Sequence, residues 1–109
     1  MKTMGATDLA ALAASGNAPL LLDVRETWEL ATATLHPAGT TLLHIPMQQV
    51  PQRLAEIPPA QPVVCICHHG ARSAQVVAFL MRLGHADVYN LDGGIDAWSL
   101  EVDAGVPRY

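Results

Sequence analysis

The chain has 109 residues, of which 50% are hydrophobic and 15% charged, with a formal net charge of −4 at pH 7. This composition predicts one domain, residues 1–109, whose core needs neither a disulfide framework nor a structural metal. Only six residues are Lys or Arg, which is too few for the basic patch that nucleic acid or an anionic membrane requires. No apolar stretch approaches the roughly 18 residues of a membrane span, so we expect a soluble, cytoplasmic protein.

The apolar pattern predicts helices and strands that alternate along the chain. In chain order, the expected elements are helix 8–15, strand 20–24, helix 26–33, strand 42–45, helix 48–56, strand 63–67, helix 72–83, strand 87–91 and helix 95–102. Thr7 is expected to cap the first helix. This alternation favours an α/β fold in which helices on both faces flank a mostly parallel sheet of four to five strands. In such sheets, ligands bind beyond the carboxyl ends of the strands.

The most informative segment is Cys67-His68-His69-Gly70-Ala71-Arg72-Ser73, which lies where a strand passes into a helix. The turn is short, so the backbone N–H groups of residues 68–73 can point at the Cys67 sulfur and form an anion site. The helix N-terminus stabilises a negative charge by at most about 2 kcal/mol, and each amide bond to a charged sulfur adds roughly 1.5–3 kcal/mol. We therefore expect Cys67 to be a thiolate at pH 7.

Two further loop residues have predicted roles beside this sulfur. Arg72 is mildly unfavourable at a helix N-terminus, which suggests that it bonds a neighbouring carboxylate or a substrate anion instead. Gly70 is explained by a backbone angle that the loop needs, and Ser73 by capping the turn or by donating its hydroxyl to a bound sulfur. Cys65 lies in mid-strand and is expected to be a packed, structural thiol.

His68 and His69 lie beside two cysteines, and this combination raises the question of a metal site. Adjacent histidines rarely reach one ion that a tight loop must also bind, so we predict no metal. We expect one or both rings at the mouth of the pocket, where partial protonation would attract an anionic substrate.

The loop spacing, Cys67 followed by four residues and Arg72, resembles the active-site loop of single-domain rhodaneses, the sulfurtransferases that carry sulfur as a cysteine persulfide. Other segments match this family in the expected order and extend the resemblance over nearly the whole chain. They are Leu21-Leu22-Asp23-Val24-Arg25-Glu26, Trp28-Glu29, His44-Ile45-Pro46-Met47, Val88-Tyr89-Asn90-Leu91, Asp92-Gly93-Gly94-Ile95-Asp96-Ala97-Trp98 and Val106-Pro107-Arg108-Tyr109.

The resemblance implies a rhodanese-like domain in which Cys67 is the nucleophile and residues 68–73 bind substrate. It also implies that Asp23 and Arg25 support the active-site region, the alternative being a surface salt bridge. The partners would be a small anionic sulfur donor such as thiosulfate and an acceptor, either a thiol or cyanide, with a protein acceptor as a further option. No metal or organic cofactor is implied.

Two alternatives remain at this point. Related cysteine phosphatases and arsenate reductases use the same combination of cysteine, loop and arginine, but the phosphatases place five residues between Cys and Arg where this chain has four. A catalytically silent binding module, or a persulfide carrier, would share the fold; silent modules often lack the loop cysteine that this chain retains.

Overall fold

The computed structural model describes all 109 residues and contains a five-stranded sheet in which every pair of neighbouring strands is parallel. The strands are β1 (Thr3–Met4), β2 (Leu20–Asp23), β3 (Thr41–His44), β4 (Val63–Ile66) and β5 (Val88–Leu91), in the spatial order β1-β5-β4-β2-β3. The predicted α/β fold is therefore confirmed. The strand β1 was not predicted, because two residues are too few to show a periodic pattern.

Four α-helices accompany the strands. They are α1 (Ala6–Ala14), α2 (Thr27–Thr32), α3 (Ala71–Arg82) and α4 (Gly94–Glu101). The predicted cap at Thr7 is wrong: α1 begins earlier, after an extended Gly5, because Ala6 is already buried against the sheet. None of the helices has the length and apolar character needed to span a membrane.

The helix predicted over residues 48–56 is also wrong. Two short 3-10 turns, Met47–Gln49 and Leu54–Glu56, occupy this region instead. Pro51 falls between them and lacks the backbone N–H that a continuous α-helix would need.

Apolar side chains from alternating strand positions build two cores, one on each face of the sheet. On one face, Val63, Cys65 and Cys67 pack with residues of α3 and of the segment that contains the 3-10 turns. On the other face, Val64 and Ile66 pack with residues of α1 and α4. The central strand β4 is thus covered on both sides, as its uninterrupted apolar sequence predicts.

The register of the sheet brings three polar positions to its carboxyl end. Asp23 at the end of β2 pairs with Ile66 of β4, and Asn90 of β5 pairs with Cys65. Cys67 follows β4 directly, so it lies between the ends of β2 and β5. This is the edge at which parallel sheets bind their ligands.

Candidate active site

The Cys67 sulfur lies at the base of the loop that joins β4 to α3. Its Sγ accepts a hydrogen bond from the Gly70 amide at 3.0 Å and lies 3.2 Å from the Ser73 hydroxyl. Gly70 has a φ of +106°, a conformation open to glycine and rarely to other residues, and this angle turns its amide toward the sulfur. The whole Cys67 residue is 1% exposed, so the sulfur is buried as well as hydrogen-bonded.

The remaining amides of the loop have no partner within the protein. One amide of the expected set, that of Gly70, contacts the sulfur. The others donate to no protein acceptor, and they belong to His68, His69, Ala71, Arg72 and Ser73. Because α3 begins at Ala71, several of these donors also carry the partial positive charge of a helix N-terminus. The loop therefore offers five free amide donors in addition to the one that contacts the sulfur.

The N-terminus of α4 holds the loop in this orientation. The amides of Ile95 and Asp96 donate to the carbonyl oxygens of Cys67 and His68, at 2.9 and 3.1 Å. This contact requires a glycine at position 94, where a Cβ atom would lie 2.5 Å from the Cys67 oxygen and 2.4 Å from the His68 oxygen. These two bonds fix the peptide groups that follow Cys67 and His68.

Ser73 does not act as a helix cap; instead it joins the sulfur to β5. Its hydroxyl contacts the Asn90 Oδ1 atom as well as Cys67 Sγ, and Asn90 Nδ2 donates to the Gly70 carbonyl oxygen at 3.0 Å. That second bond fixes the orientation of the amide, so Asn90 presents an acceptor to Ser73. A hydroxyl has one proton to donate. Ser73 can donate it to Asn90 Oδ1 when Cys67 is a thiol, and to Cys67 Sγ when Cys67 is a thiolate.

Arg72 is bound by a carboxylate. Its two terminal nitrogens donate to the two oxygens of Glu29 at 2.7 and 2.8 Å, the paired geometry that arginine and a carboxylate favour. Arg72 holds the pKa of Glu29 near 2, and burial of the carboxylate opposes this effect. Of the two expected partners of Arg72, the structure thus shows the carboxylate.

Asp23 and Arg25 form a buried ion pair, so the alternative of a surface salt bridge is wrong. The Arg25 guanidinium is 0% exposed and contacts Asp23 at 2.8 Å. Another nitrogen of Arg25 donates to the hydroxyl of Tyr109 at 2.8 Å, and that hydroxyl donates to Glu29 at 2.9 Å. The buried pair therefore supports Arg72 indirectly, through Tyr109 and Glu29.

The two loop histidines differ in their surroundings. His68 is stacked between His69 and the ring of Tyr109, with 3.9 Å between ring centroids on each side. Burial, with a smaller contribution from His69, lowers the pKa of His68, which disfavours the partial protonation expected of this ring. The side chain of His69 is 65% exposed.

Ligand atoms of His68, His69 and Asp96 lie within 4.8 Å of one another. This arrangement does not suit a metal ion, because a bound ion lies in the plane of each ligating ring and the two stacked rings are inclined by only 25°. Asp96 is also engaged by Arg108 at 2.9 Å. The prediction of no metal site is consistent with this geometry.

Three residues of this network were not predicted as site residues: Glu29, Asn90 and Tyr109. Glu29 follows Arg25 by one helical turn, and Asn90 is a polar residue within an apolar strand, so both left a weak signal in the sequence. Tyr109 left none.

Comparison with known proteins gives consistent matches. Residues 5–101 match the family model described as "Rhodanese-like domain". A protein named "Sulfurtransferase" from Allochromatium vinosum is 44% identical over 80 residues, which cover 73% of this chain and 71% of that protein. "Thiosulfate sulfurtransferase GlpE" from Pseudomonas aeruginosa is 32% identical over 82 residues, covering 75% of this chain and 71% of the relative.

A crystal structure of SSP1007 from Staphylococcus saprophyticus superimposes on this chain with a TM-score of 0.81. The two are 30% identical, and the match covers 98% of this chain and 99% of the other. The similarity thus extends over the sheet, the helices and the loop.

Proposed function

Because this chain belongs to the rhodanese-like domain family, we propose that it is a sulfurtransferase in which Cys67 carries the transferred sulfur as a persulfide. The observation that supports this proposal most directly is the environment of Cys67 Sγ. The Gly70 amide donates to the sulfur, and five neighbouring amides have no other acceptor. A second sulfur attached to Cys67 would meet these free donors, which suit a terminal sulfur anion.

The reaction has two displacement steps. In the first, the Cys67 thiolate attacks the outer sulfur of a donor such as thiosulfate, a new S–S bond forms, and sulfite leaves with the electron pair of the broken bond. In the second, an acceptor thiolate or cyanide attacks the terminal sulfur, and Cys67 leaves as a thiolate. No net oxidation of the protein occurs, and neither step uses a cofactor.

Within this scheme, Gly70 and Ser73 stabilise negative charge on Cys67 in both steps, because their donors lie within hydrogen-bond reach of its Sγ atom. Arg72 has a positioning role. Its ion pair with Glu29 fixes the first turn of α3 and so the orientation of the free amides. Cys65 takes no part, because burial raises the pKa of this thiol to about 12 and leaves it protonated and packed.

A catalytically silent module is disfavoured by the same contacts. A protein that only bound a partner would not need a buried cysteine whose sulfur accepts a hydrogen bond from a loop amide and lies beside a serine hydroxyl. The four residues between Cys67 and Arg72 do not favour phosphate, and no other feature of the site supports a phosphatase. Whether the acceptor is a small thiol or a protein thiol does not alter the chemistry at Cys67.

The test is the intact mass of the protein before and after incubation with thiosulfate at high concentration. We expect a gain of one sulfur atom that cyanide reverses and that Cys67→Ser abolishes. Cys65→Ser is the matched control, since it removes the neighbouring thiol and should still gain sulfur. Equal loss in both variants, or sulfur on Cys67→Ser, would contradict the assignment.

A further inference from the structure

We propose that Asn90 is a positioning residue for the reaction at Cys67: it accepts the Ser73 proton while the sulfur is neutral and releases that hydrogen bond when the sulfur becomes negative. The inference rests on the proposed function, in which negative charge appears on Cys67 Sγ and leaves it again in each cycle. Its basis is the set of hydrogen bonds around one buried hydroxyl.

The Ser73 hydroxyl has two acceptors within reach and one proton to give. Its oxygen lies 3.2 Å from Cys67 Sγ and within hydrogen-bond distance of Asn90 Oδ1. Ser73 is 0% exposed and Asn90 is 8% exposed, so bulk water does not supply a further partner. Leaving a buried hydroxyl without an acceptor costs free energy, and the proton therefore goes to one of these two atoms.

The Gly70 carbonyl oxygen, 3.3 Å from the hydroxyl, is a poor third acceptor. It already accepts from Asn90 Nδ2 at 3.0 Å and from the Ala74 amide at 3.1 Å, and a carbonyl oxygen has two lone pairs. The bond from Asn90 also fixes the side-chain amide, so that its Oδ1 atom faces Ser73. The competition for the proton is thus between Asn90 and the sulfur.

The charge on the sulfur decides this competition. A thiol is a weak acceptor, so Ser73 then donates to Asn90, and its oxygen is free to accept from the S–H group of Cys67. A thiolate accepts a charge-assisted bond that is roughly twice as strong as a neutral one, so the hydroxyl turns to the sulfur. Ser73 keeps its own proton throughout, and the proton that Cys67 loses passes to solvent.

Sulfur transfer would turn the hydroxyl twice in each cycle. When Cys67 takes up sulfur, negative charge moves from Sγ to the terminal sulfur, which the free amides of the loop can bind. Sγ is then uncharged, and the Ser73 hydroxyl returns to Asn90. Asn90 therefore stabilises the thiol and the persulfide relative to the thiolate, whereas an apolar residue at position 90 would leave the hydroxyl on the sulfur.

Charged and titratable groups also lie on the elements packed around the loop, and the variants used in the test leave all of them in place. They are Arg72 of α3 with Glu29 of α2, Cys65 of β4, His68 and His69 of the loop, Asp96 of α4 with Arg108, Asp92 after β5, Tyr109, and the pair of Asp23 and Arg25 at the end of β2. A difference between the variants therefore reports the contact of Ser73 with Asn90.

The experiment follows two carbon resonances by NMR as the pH is raised. Cys67 Cβ reports ionisation of the thiol, and Asn90 Cγ reports the hydrogen bond that the side-chain carbonyl accepts. In the wild-type protein, we expect the Asn90 resonance to shift with the same pH midpoint as the Cys67 resonance. Most of that shift should vanish in Ser73→Ala. Ser99→Ala is the matched control and should retain it, because its hydroxyl is also buried but donates to the Ile95 carbonyl.

Asn90→Leu keeps a similar side-chain shape and removes the acceptor. With the Ser73 hydroxyl left to the sulfur, the pH midpoint of Cys67 ionisation should fall by about one unit, the effect of one hydrogen bond. Ser73→Ala should raise the midpoint by about as much, and adding Asn90→Leu to Ser73→Ala should change it by less than about 0.3 unit. A role confined to holding the loop through Gly70 predicts the opposite sign for Asn90→Leu, because a loosened loop stabilises the thiolate less.

A midpoint that rises or stays fixed in Asn90→Leu, or an Asn90 resonance in the wild-type protein that does not follow Cys67, would overturn the inference. The second observation needs no substitution at position 90, so it decides the question even if Asn90→Leu fails to fold. Neither measurement uses a sulfur donor, and both are therefore independent of the gain in mass that tests the proposed function.

Discussion

Gly94 offers the sharpest test of how the Cys67 loop is held. Replacing it by Ala places a Cβ atom 2.4–2.5 Å from two carbonyl oxygens of the loop, whereas nonbonded atoms need about 3.5 Å. The loop or the N-terminus of α4 must therefore move by roughly 1 Å. The φ of Gly94 is also +62°, an angle that costs an L-residue about 1–2 kcal/mol.

The expected loss of stability is the sum of two contributions. The backbone angle costs about 1–2 kcal/mol, and weakening the two amide bonds to the loop carbonyls costs about 1 kcal/mol each, so Gly94→Ala should lower the free energy of unfolding by about 3–4 kcal/mol. Gly84→Ala is the matched control: its φ is +93° and nothing lies within 4 Å of its would-be Cβ. It should cost only the first contribution.

The assays are urea unfolding, followed by tryptophan fluorescence, and the rate of sulfur loading on Cys67. Displacement of reacting groups by about 1 Å can reduce a rate by about a hundredfold, so Gly94→Ala should load sulfur at least about tenfold more slowly while Gly84→Ala loads at the wild-type rate. Equal destabilisation by the two substitutions, together with equal loading rates, would refute the idea that close contact with α4 orients the loop.

Three further predictions concern the network around the site. The pKa of Glu29 is lowered to about 2, so its ionisation contributes stability that is present above about pH 4.5 and lost as the pH falls through 2, at most about 3 kcal/mol. The destabilisation caused by Glu29→Gln in urea unfolding should shrink over that interval, and a pH-independent value would contradict it. Tyr109→Phe should lower the free energy of unfolding by about 1–2 kcal/mol in the same assay, because it removes a partly buried hydroxyl between two charged groups. In NMR spectra of this variant, the His68 ring protons should keep the chemical shifts that stacking on the aromatic ring gives them. A change in those shifts would show that the hydroxyl also holds the His68 ring in place. Iodoacetamide should label Cys65 only after unfolding, since its pKa is raised to about 12; peptide mass mapping checks this, and labelling of the native protein would exclude the packed role.

Local sequence explains the architecture of this chain well. The strands β2 and β4 are largely apolar runs of four residues that are buried on both faces, and a proline lies just before each of them. Such signals operate over one turn or one strand, so they locate elements whose length exceeds a few residues. They also place Cys67 at the end of a central strand, where a helix N-terminus and its free amides follow.

Contacts between distant residues explain what the sequence left open. Arg72 is 43 residues from Glu29, and Tyr109 is 80 residues from the same carboxylate; no local periodicity links residues so far apart. The sequence alone pointed to Cys67 as the candidate nucleophile and to its loop as an anion site. Only the tertiary structure showed that Glu29 of α2 binds Arg72, and that the Tyr109 hydroxyl links the same carboxylate to Arg25.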